Sequence, residues 1–221
     1  RQMCIRDSSG IQSLGAIDYE PIWFFYNGPE IKRSDFQVVN NHAKFFNNRK
    51  ISVGVEGSGT HDQAMQLVKA TGLDRTSLQF VYLPADKAVQ ALKNSEIDGA
   101  FIVDGYESAN VQALLADSRM NLVTFRRAEA FTKILPYLQI LRVPEGAFNL
   151  QRNFPSEDIN LVATTTNLLI DDRMHPAIQF LFLEAAREIN GKESFFAKRE
   201  EFPSFKDSLL PESPVAMHYE K

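Results

Sequence analysis

Between residues 51 and 125, short apolar segments rich in β-branched and aromatic residues alternate with segments whose apolar residues recur at helical spacing. The short segments, which are predicted as strands, are Ile51–Val55, Leu78–Leu83, Gly99–Val103 and Asn121–Phe125. The segments between them, which are predicted as helices, are Thr60–Thr71, Ala85–Asn94 and about Ser108–Ala116. Strands that alternate with helices of about ten residues predict right-handed crossovers and a mainly parallel sheet covered on both faces. The α/β fold class follows from this alternation.

Two long extended segments flank this block. Asp18–Tyr26 is aromatic and β-branched and stops at a cluster of turn residues, Asn27-Gly28-Pro29. Ile159–Ile170 is rich in β-formers along its length. Because each segment could belong partly to the block and partly to a neighbouring one, the two strands are candidates for crossings that form a hinge.

The strongest helix pattern in the chain is His175–Asn190. Pro176 stands in its first turn and Gly191 follows it, as expected at the two ends of a helix. The residues predicted to share its apolar face are Ile178, Leu181, Phe182, Ala185 and Ile189. Two shorter segments are also predicted, a helix at Ala128–Ile134 and a strand at Ile140–Val143.

The charge balance argues against a nucleic-acid partner. The chain has 24 Lys and Arg against 28 Asp and Glu, a formal net charge of −4 and a pI near 5.6, so it lacks the basic surface that neutralises phosphate backbones. No run of about 18 apolar residues, the length of a membrane-spanning helix, occurs. The single cysteine, Cys4, cannot form an internal disulfide.

The first residues of the chain suggest a non-native origin. Met3-Cys4-Ile5-Arg6-Asp7-Ser8 is what ATG TGT ATA AGA GAC AGN encodes, and that string resembles a transposase-adaptor sequence used in library preparation. Our hypothesis is that roughly the first eight residues are a translated assembly artefact, the alternative being a natural polar N-terminus. An ordinary coding sequence that continues upstream through these codons would contradict the hypothesis.

The stretch Glu56-Gly57-Ser58-Gly59-Thr60 joins the first strand of the block to its first helix. Such a junction presents free backbone N–H groups and the positive end of the helix dipole, and its glycines let a ligand approach the backbone. The hydroxyls of Ser58 and Thr60 can add hydrogen bonds or cap the helix. A nucleotide P-loop would need Lys and then Ser or Thr after the second glycine, and the dinucleotide fingerprint would need a third glycine at Asp62. The loop therefore predicts an anion site without a nucleotide cofactor.

Catalytic and metal-binding interpretations of the same region are weaker. Ser58 and His61 could form a nucleophile and base, but their spacing is helical, G-x-S-x-G is absent, and a serine at a helix N-cap needs no catalytic explanation. The histidines at His42, His61, His175 and His218 lie far apart without cysteine partners. No metal and no cofactor are predicted.

Four further residues are candidates for a ligand site. Asp104-Gly105 follows the predicted strand Gly99–Val103, at the strand end where α/β folds place ligands, although Asp-Gly also forms ordinary turns. Tyr19 and Trp23 lie on the first flanking strand and could line a cleft, although aromatic residues in strands are more often part of a core.

Segments in order along the chain resemble the solute-binding receptors of the TAXI family of TRAP transporters. The segments read LGAIDYEPIWFFY, ISVGVEGSGTHDQAMQLV, SEIDGAFIVDG, FRRAEAFTKILPYLQILRVPEGAFNLQRNFPSEDINLVATTTNLLI and HPAIQFLFLEAAREING. The resemblance runs from about Leu14 to the end of the chain. Its specificity lies in the joint order of the segments, since EGSGT alone would be a weak signal.

The resemblance implies a type II periplasmic-binding-protein fold. We expect one complete α/β lobe with a mainly parallel sheet plus part of a second lobe, joined by two crossing strands. In such receptors the loop that matches Gly57-Ser58-Gly59-Thr60 lies at the ligand cleft and offers amides and hydroxyls to a carboxylate. Tyr19, Trp23 and the Asp104-Gly105 turn are expected to shape the rest of the site.

The resemblance also implies a function. Receptors of this family are taken to bind glutamate-like or other organic-acid solutes and to deliver them to an ion-driven permease. The expected partners are therefore a small-molecule carboxylate and a TRAP transporter permease subunit in the membrane. The expected location is the periplasm or the outer face of the cytoplasmic membrane, and no enzymatic activity is expected.

Compared with the family, the chain is expected to be an N-terminally truncated fragment. Residues 1–10 are expected to be a non-native or disordered leader, and 11–23 a remnant of lobe 1 with the first crossing strand. Residues 24–158 are expected to form lobe 2, the ligand-binding lobe. Residues 159–221 are expected to contain the return crossing and the C-terminal part of lobe 1.

Two other classes of function stay open. One is an enzyme built on the same two-lobed fold, with Ser58 or His61 in the chemistry, and retention of a ligand without turnover would separate a receptor from it. The other is an intracellular ligand-sensing domain, which would need a DNA-binding region upstream and no leader.

Overall fold

The computed structural model describes residues 10–31, 46–75, 77–206 and 210–219. The proposed artefact at Arg1–Ser8 and the histidine His42 lie outside the described residues.

Strands and helices alternate through most of the described chain. The strands are β1 (Ile11–Asn27), β2 (Lys50–Ser52), β3 (Gln79–Val81), β4 (Gly99–Val103), β5 (Met120–Leu122), β6 (Gln139–Val143) and β7 (Ile159–Asp171). The helices are α1 (Gly59–Thr71), α2 (Ala85–Lys93), α3 (Ala109–Leu115), α4 (Ala128–Ile134), α5 (Pro176–Asn190) and α6 (Pro214–Tyr219), with a 3₁₀ turn at Leu73–Arg75. The predicted α/β class is confirmed.

The predicted elements correspond closely to these bounds. β4 and α4 coincide with their predictions residue for residue, and Gly72 ends α1 in the left-handed conformation with φ 72°. β2 is shorter than predicted because Gly54 adopts φ +78°, which interrupts the extended backbone. The pairing still continues briefly beyond the strand, since the Val53 N–H donates to the Val81 carbonyl at 2.9 Å.

The chain divides into two compact units. Among the described residues, unit 1 comprises those within Pro21–Ile134 and Ile140–Val162. Unit 2 comprises those up to Glu20, within Leu135–Gln139, and from Ala163 onward. The long strands β1 and β7 therefore each contribute residues to both units.

The sheet is mixed, with strand order β3-β2-β4-β1-β7-β6 and β5 paired to β1. β2 pairs in parallel with both β3 and β4, as the prediction of a parallel sheet required. β1 instead runs antiparallel to β4, with Trp23 opposite Ile102, and antiparallel to β5, with Phe25 opposite Leu122. The prediction of a mainly parallel sheet therefore holds for the β3-β2-β4 part and needs correction at β1, because strand direction is not encoded in hydrophobic periodicity.

The core of unit 1 is built around the aromatic run of β1. Trp23, Phe24, Phe25 and Tyr26 are all buried, so both faces of this strand are covered. Phe24 packs edge-on against Phe101 of β4 with ring centroids 4.7 Å apart, and Trp23 stacks on Phe25 at 5.9 Å. Burial of each aromatic side chain contributes about 1.5–3 kcal/mol to the free energy of unfolding, so this strand is a main source of the stability of unit 1.

The core of unit 2 contains a different face of α5 from the predicted one. Leu14, Ile170, Leu183 and Ala216 form a buried cluster. The residues predicted for the apolar face of α5 are exposed instead: Ile178, Leu181, Phe182, Ala185 and Ile189. The residues of α5 that are buried are Gln179, Leu183 and Ala186. Both sets recur at helical spacing, and a helix that is apolar on most sides does not reveal which side is buried.

Among the described residues, no helix has the length and apolar character needed to cross a bilayer.

Candidate functional site

The loop between β2 and α1 passes very close to the start of the helix. Gly54 has φ +78°, and a Cβ atom there would lie 2.9 Å from both the His61 nitrogen and the Thr60 Cγ2. A larger residue at Gly54 would therefore clash with the first turn of α1 as well as strain the backbone. The sequence analysis did not single out Gly54, although its position two residues before the glycine loop was an available signal.

Gly57 and Ser58 form the turn that starts α1. Gly57 has φ +81° with open space around its Cβ position, so a glycine is favoured there by conformation alone. The Ser58 hydroxyl accepts a hydrogen bond from the His61 N–H at 3.2 Å, and the Ser58 carbonyl accepts one from the Asp62 N–H at 3.1 Å. Ser58 is thus the N-cap of α1, which confirms the capping interpretation of its hydroxyl.

Gly59 and Thr60 are the first two residues of α1. Among the described residues, neither of their backbone N–H groups donates a hydrogen bond to a main-chain carbonyl. No atom lies within 4 Å of the Cβ position of Gly59, so the space beside this residue is open. The N–H groups at a helix start carry partial positive charge, so this pair can bind an anion.

The loop is connected directly to the end of β4. The Thr60 hydroxyl oxygen accepts a hydrogen bond from the Val103 N–H at 3.3 Å, and Asp104-Gly105 follows at once. Because β2, β3 and β4 are parallel, their carboxyl ends meet at one edge. We call this edge, formed by Gly54–Thr60, Tyr82 and Asp104-Gly105, the carboxyl edge of unit 1. The structure therefore brings six of the eight predicted site residues together at this edge: Gly57, Ser58, Gly59, Thr60, Asp104 and Gly105.

The Asp104-Gly105 pair forms a turn. The Asp104 carboxylate accepts a hydrogen bond from the Gly105 N–H at 2.8 Å, and the Gly105 carbonyl accepts one from the Ser108 N–H at 3.1 Å. The Asp104 side chain is half-buried. The turn holds a carboxylate beside the glycine loop, so the turn and ligand interpretations of Asp104 are compatible.

Trp23 supports this turn from inside the core. Its side chain is fully buried, and its indole N–H donates to the Asp104 carbonyl at 2.9 Å. Trp23 therefore lies in the core of unit 1, as the core interpretation expects, and its place in the ligand site stays a prediction. Trp23 contacts the carboxyl edge through the main-chain carbonyl of Asp104.

Tyr82 of the carboxyl edge lies beside His61, which follows Thr60 in α1. Tyr82 follows β3, is 49% exposed, and its ring lies 5.7 Å from the ring of His61. The Nδ1 atom of His61 is buried and has no hydrogen-bond partner within the described part of the chain. Sequence analysis missed Tyr82, whose only signal was its place near the end of the predicted strand Leu78–Leu83.

Tyr19 belongs to unit 2 and has its own partners there. Its hydroxyl donates to the Glu201 carboxylate at 2.5 Å, and its ring packs edge-on against Phe202 at 5.0 Å. Burial raises the pKa of Tyr19 well above its usual value, and the hydrogen bond and charge of Glu201 raise it further. Tyr19 lines a cavity of about 640 Å³ whose walls are all formed by unit 2.

The described structure thus defines an α/β protein with a glycine-rich loop and helix N-terminus at the carboxyl edge of parallel strands. Residues 11–191, well over half of the chain, match the NMT1-like family. The chain belongs to the NMT1-like family. The finer TAXI assignment stays a prediction.

Solved structures similar to this chain include periplasmic binding proteins. One described as a periplasmic transporter shares 12% identity with a TM-score of 0.48 over 83% of this chain and 57% of its own. MatC of Rhodopseudomonas palustris with bound malate shares 14% with a TM-score of 0.44 over 84% and 56%. A TctC solute-binding protein from Polaromonas shares 18% with a TM-score of 0.42 over 84% and 57%. The chain spans little more than half the length of each of these three structures.

Proposed function

We propose that this chain is part of a solute-binding receptor for a small carboxylate, of the TAXI type that serves TRAP transporters. The observation that carries this proposal is the pair of backbone N–H groups at Gly59 and Thr60, which begin α1 and have no main-chain acceptor among the described residues. The receptor would deliver its solute to a permease subunit from the periplasm or the outer face of the cytoplasmic membrane. Within it, residues 24–158 would be the ligand-binding lobe.

The donor set suits a ligand that must be released again. None of the residues of the carboxyl edge is Lys or Arg, so the donors to an anion are neutral N–H groups and hydroxyls. A hydrogen bond to a charged group contributes about 1.5–3 kcal/mol, so two N–H groups contribute about 3–6 kcal/mol. A Kd of about 1 μM requires about 8 kcal/mol, so the rest of the ligand must supply further contacts.

Asp104 favours a solute that carries an ammonium group as well as a carboxylate. Its carboxylate is held by the Gly105 N–H next to the loop, and a carboxylate there would repel a simple dianion. An α-amino acid places its ammonium beside its carboxylate, so the two groups can meet Asp104 and the α1 N-terminus together. A glutamate-like solute therefore fits the edge better than a plain dicarboxylate.

The contacts of Ser58 favour binding over catalysis. The bond between Ser58 and His61 runs from the main-chain N–H of His61 to the serine hydroxyl, not from the serine to the imidazole. A nucleophile and its general base would need the opposite arrangement, with the hydroxyl donating to a ring nitrogen. We propose that the protein binds its solute without turnover.

Replacing Gly59 tests the site directly. Proline at the first position of a helix keeps the helix but removes the N–H, and Ser58 already has the extended conformation, φ −87° and ψ 155°, that proline requires before it. We expect Gly59→Pro to weaken glutamate binding about 10-fold or more by isothermal titration calorimetry. The control Gly59→Ala keeps the N–H, and its added methyl group meets no atom within 4 Å, so it should retain the affinity. Equal affinity of both variants would contradict the proposal.

A second titration tests the role of Asp104. Glutarate differs from glutamate only in lacking the ammonium group, so wild-type protein should prefer glutamate. In Asp104→Asn this preference should fall about 10-fold, because the ion pair is lost. If glutarate and glutamate bind equally to the wild type, the solute class is a dicarboxylate and the amino-acid assignment is wrong.

A further inference from the structure

Unit 2 contains a cavity that the proposed function does not use. Its volume of about 640 Å³ lies within the range of about 300–1,000 Å³ typical of small-molecule sites. None of its lining residues belongs to the carboxyl edge of unit 1. The chemistry of its walls therefore has to be explained separately.

The best-placed carboxylate of this cavity is already satisfied by the protein. Glu201 accepts the Tyr19 hydroxyl at 2.5 Å on one oxygen and the Lys198 N–H at 2.6 Å on the other. The Tyr219 hydroxyl likewise donates to Glu184 at 2.5 Å. Glu201 therefore links Tyr19 to the main chain at Lys198, which makes it a structural group of the wall.

The cations of the wall retain donors. Arg187 lies in the last turn of α5 and interacts with the Tyr219 hydroxyl and with the charges of Glu184 and Glu200. Its guanidinium has five N–H donors in a fixed planar fork, and one hydroxyl partner uses only part of that capacity. Lys206 adds a second cation to the same wall. Glu200, which is exposed and lines the same cavity, also acts on Arg187 through its charge.

Aromatic rings stand beside these cations. Phe205 and Tyr219 both line the cavity, and their ring centroids are 6.4 Å apart at an interplanar angle of 59°. Phe202 forms part of the wall behind Tyr19, with its ring edge-on to the tyrosine. A planar apolar group would find ring faces and edges in this cavity.

We propose that the unit 2 cavity is a second binding site, specific for a small aromatic carboxylate. Arg187 binds the carboxylate through its planar fork, Lys206 adds charge, and the aromatic body packs against Phe205 and Tyr219. Tyr19 positions the wall by holding Glu201. The site is independent of the carboxyl edge of unit 1 and accepts a different class of ligand.

The test is a calorimetric titration of the chain with phenylacetate and with its uncharged analogue phenylacetamide. We expect phenylacetate to bind and phenylacetamide to bind at least about 10-fold more weakly. Arg187→Gln should abolish this difference, whereas Arg199→Gln, an equal change of charge at an exposed residue outside the cavity wall, should preserve it. Circular dichroism of both variants checks that they fold.

Three outcomes would overturn the proposal. Equal binding of the two probes would show that no cation of the cavity binds the carboxylate of phenylacetate. An equal loss of the preference for phenylacetate in Arg199→Gln and in Arg187→Gln would show that only the net charge of the protein matters. Loss of phenylacetate binding in Gly59→Pro would place the probe at the glycine loop, and this result leaves the proposed function of that loop standing.

Discussion

The Thr60 hydroxyl accepts a hydrogen bond from the Val103 N–H at 3.3 Å, which ties the first turn of α1 to the last residue of β4. This bond aligns the glycine loop with the Asp104-Gly105 turn. Removing it should therefore affect both the stability of unit 1 and the geometry of the proposed solute site.

We expect Thr60→Val to lower the free energy of unfolding by about 1–3 kcal/mol, because the N–H of Val103 loses its acceptor. Thr60→Ser keeps the hydroxyl and should retain most of the stability. Urea unfolding measures the free energy of unfolding of both variants. Equal stabilities would show that the bond contributes nothing measurable.

Gly54 and Gly57 form a matched pair for substitution by alanine. Both have positive φ, 78° and 81°. Alanine is strained in this left-handed conformation, so each variant should lose about 1–2 kcal/mol of its free energy of unfolding. At Gly54 the added methyl group would also lie 2.9 Å from the His61 nitrogen, whereas Gly57 faces open space. Thermal or urea unfolding should show Gly54→Ala as clearly the less stable variant. Similar values would mean that the chain relaxes around the close contact.

The hydrogen bond between Tyr19 and Glu201 predicts a stability change at alkaline pH. The folded protein holds the pKa of Tyr19 above the value near 10 that it has when unfolded, so the folded state retains a proton that the unfolded state loses. The contribution of protonated Tyr19 to the free energy of unfolding is complete below pH 10 and is lost as the pH rises above 10. The free energy of unfolding should fall less steeply above pH 10 in Tyr19→Phe. The tyrosinate absorbance of that variant should also lack the late-titrating component, and an unchanged titration would contradict this assignment.

The exposed side of α5 predicts self-association. Leu181 and Ile189 are 65% and 69% exposed on a helix that also exposes two phenylalanines. Contiguous apolar surface of this kind promotes association in water. The double variant Leu181→Glu with Ile189→Lys should elute later and more symmetrically by size exclusion, at little cost in stability. Leu183→Ala is the contrasting case, since Leu183 is fully buried and its truncation should cost about 2–5 kcal/mol. A wild-type protein that stays monomeric at all concentrations would refute the prediction.

Local features of the glycine loop were predictable from the sequence. Ser58 as an N-cap and Gly72 as a C-terminal stop both follow from residue type and position, and the structure confirms both. Gly54 was not recognised because its role depends on the approach of His61, seven residues later, and that approach is visible only once α1 packs against the sheet.

Features that depend on distant contacts were predicted less well. The direction of β1 is set by its pairing with β4 and β5, about 80 to 100 residues later in the chain. The buried side of α5 is set by contacts with Leu14 and Ile170 rather than by its own periodicity. Trp23 could equally have lined a surface or a core, and its contacts with Phe148 and Asp104 place it in the core.

By itself the sequence determined the α/β class, the order of most of the strands and helices, and the N-cap of α1 at Ser58. These properties depend on residues a few positions apart, where periodicity, capping and backbone conformation act directly. Only the tertiary structure decided that Thr60 meets Val103, and that the hydroxyl of Tyr19 is taken by Glu201, 182 positions further along the chain. Such partners are selected by the packing of whole elements, which no single segment encodes.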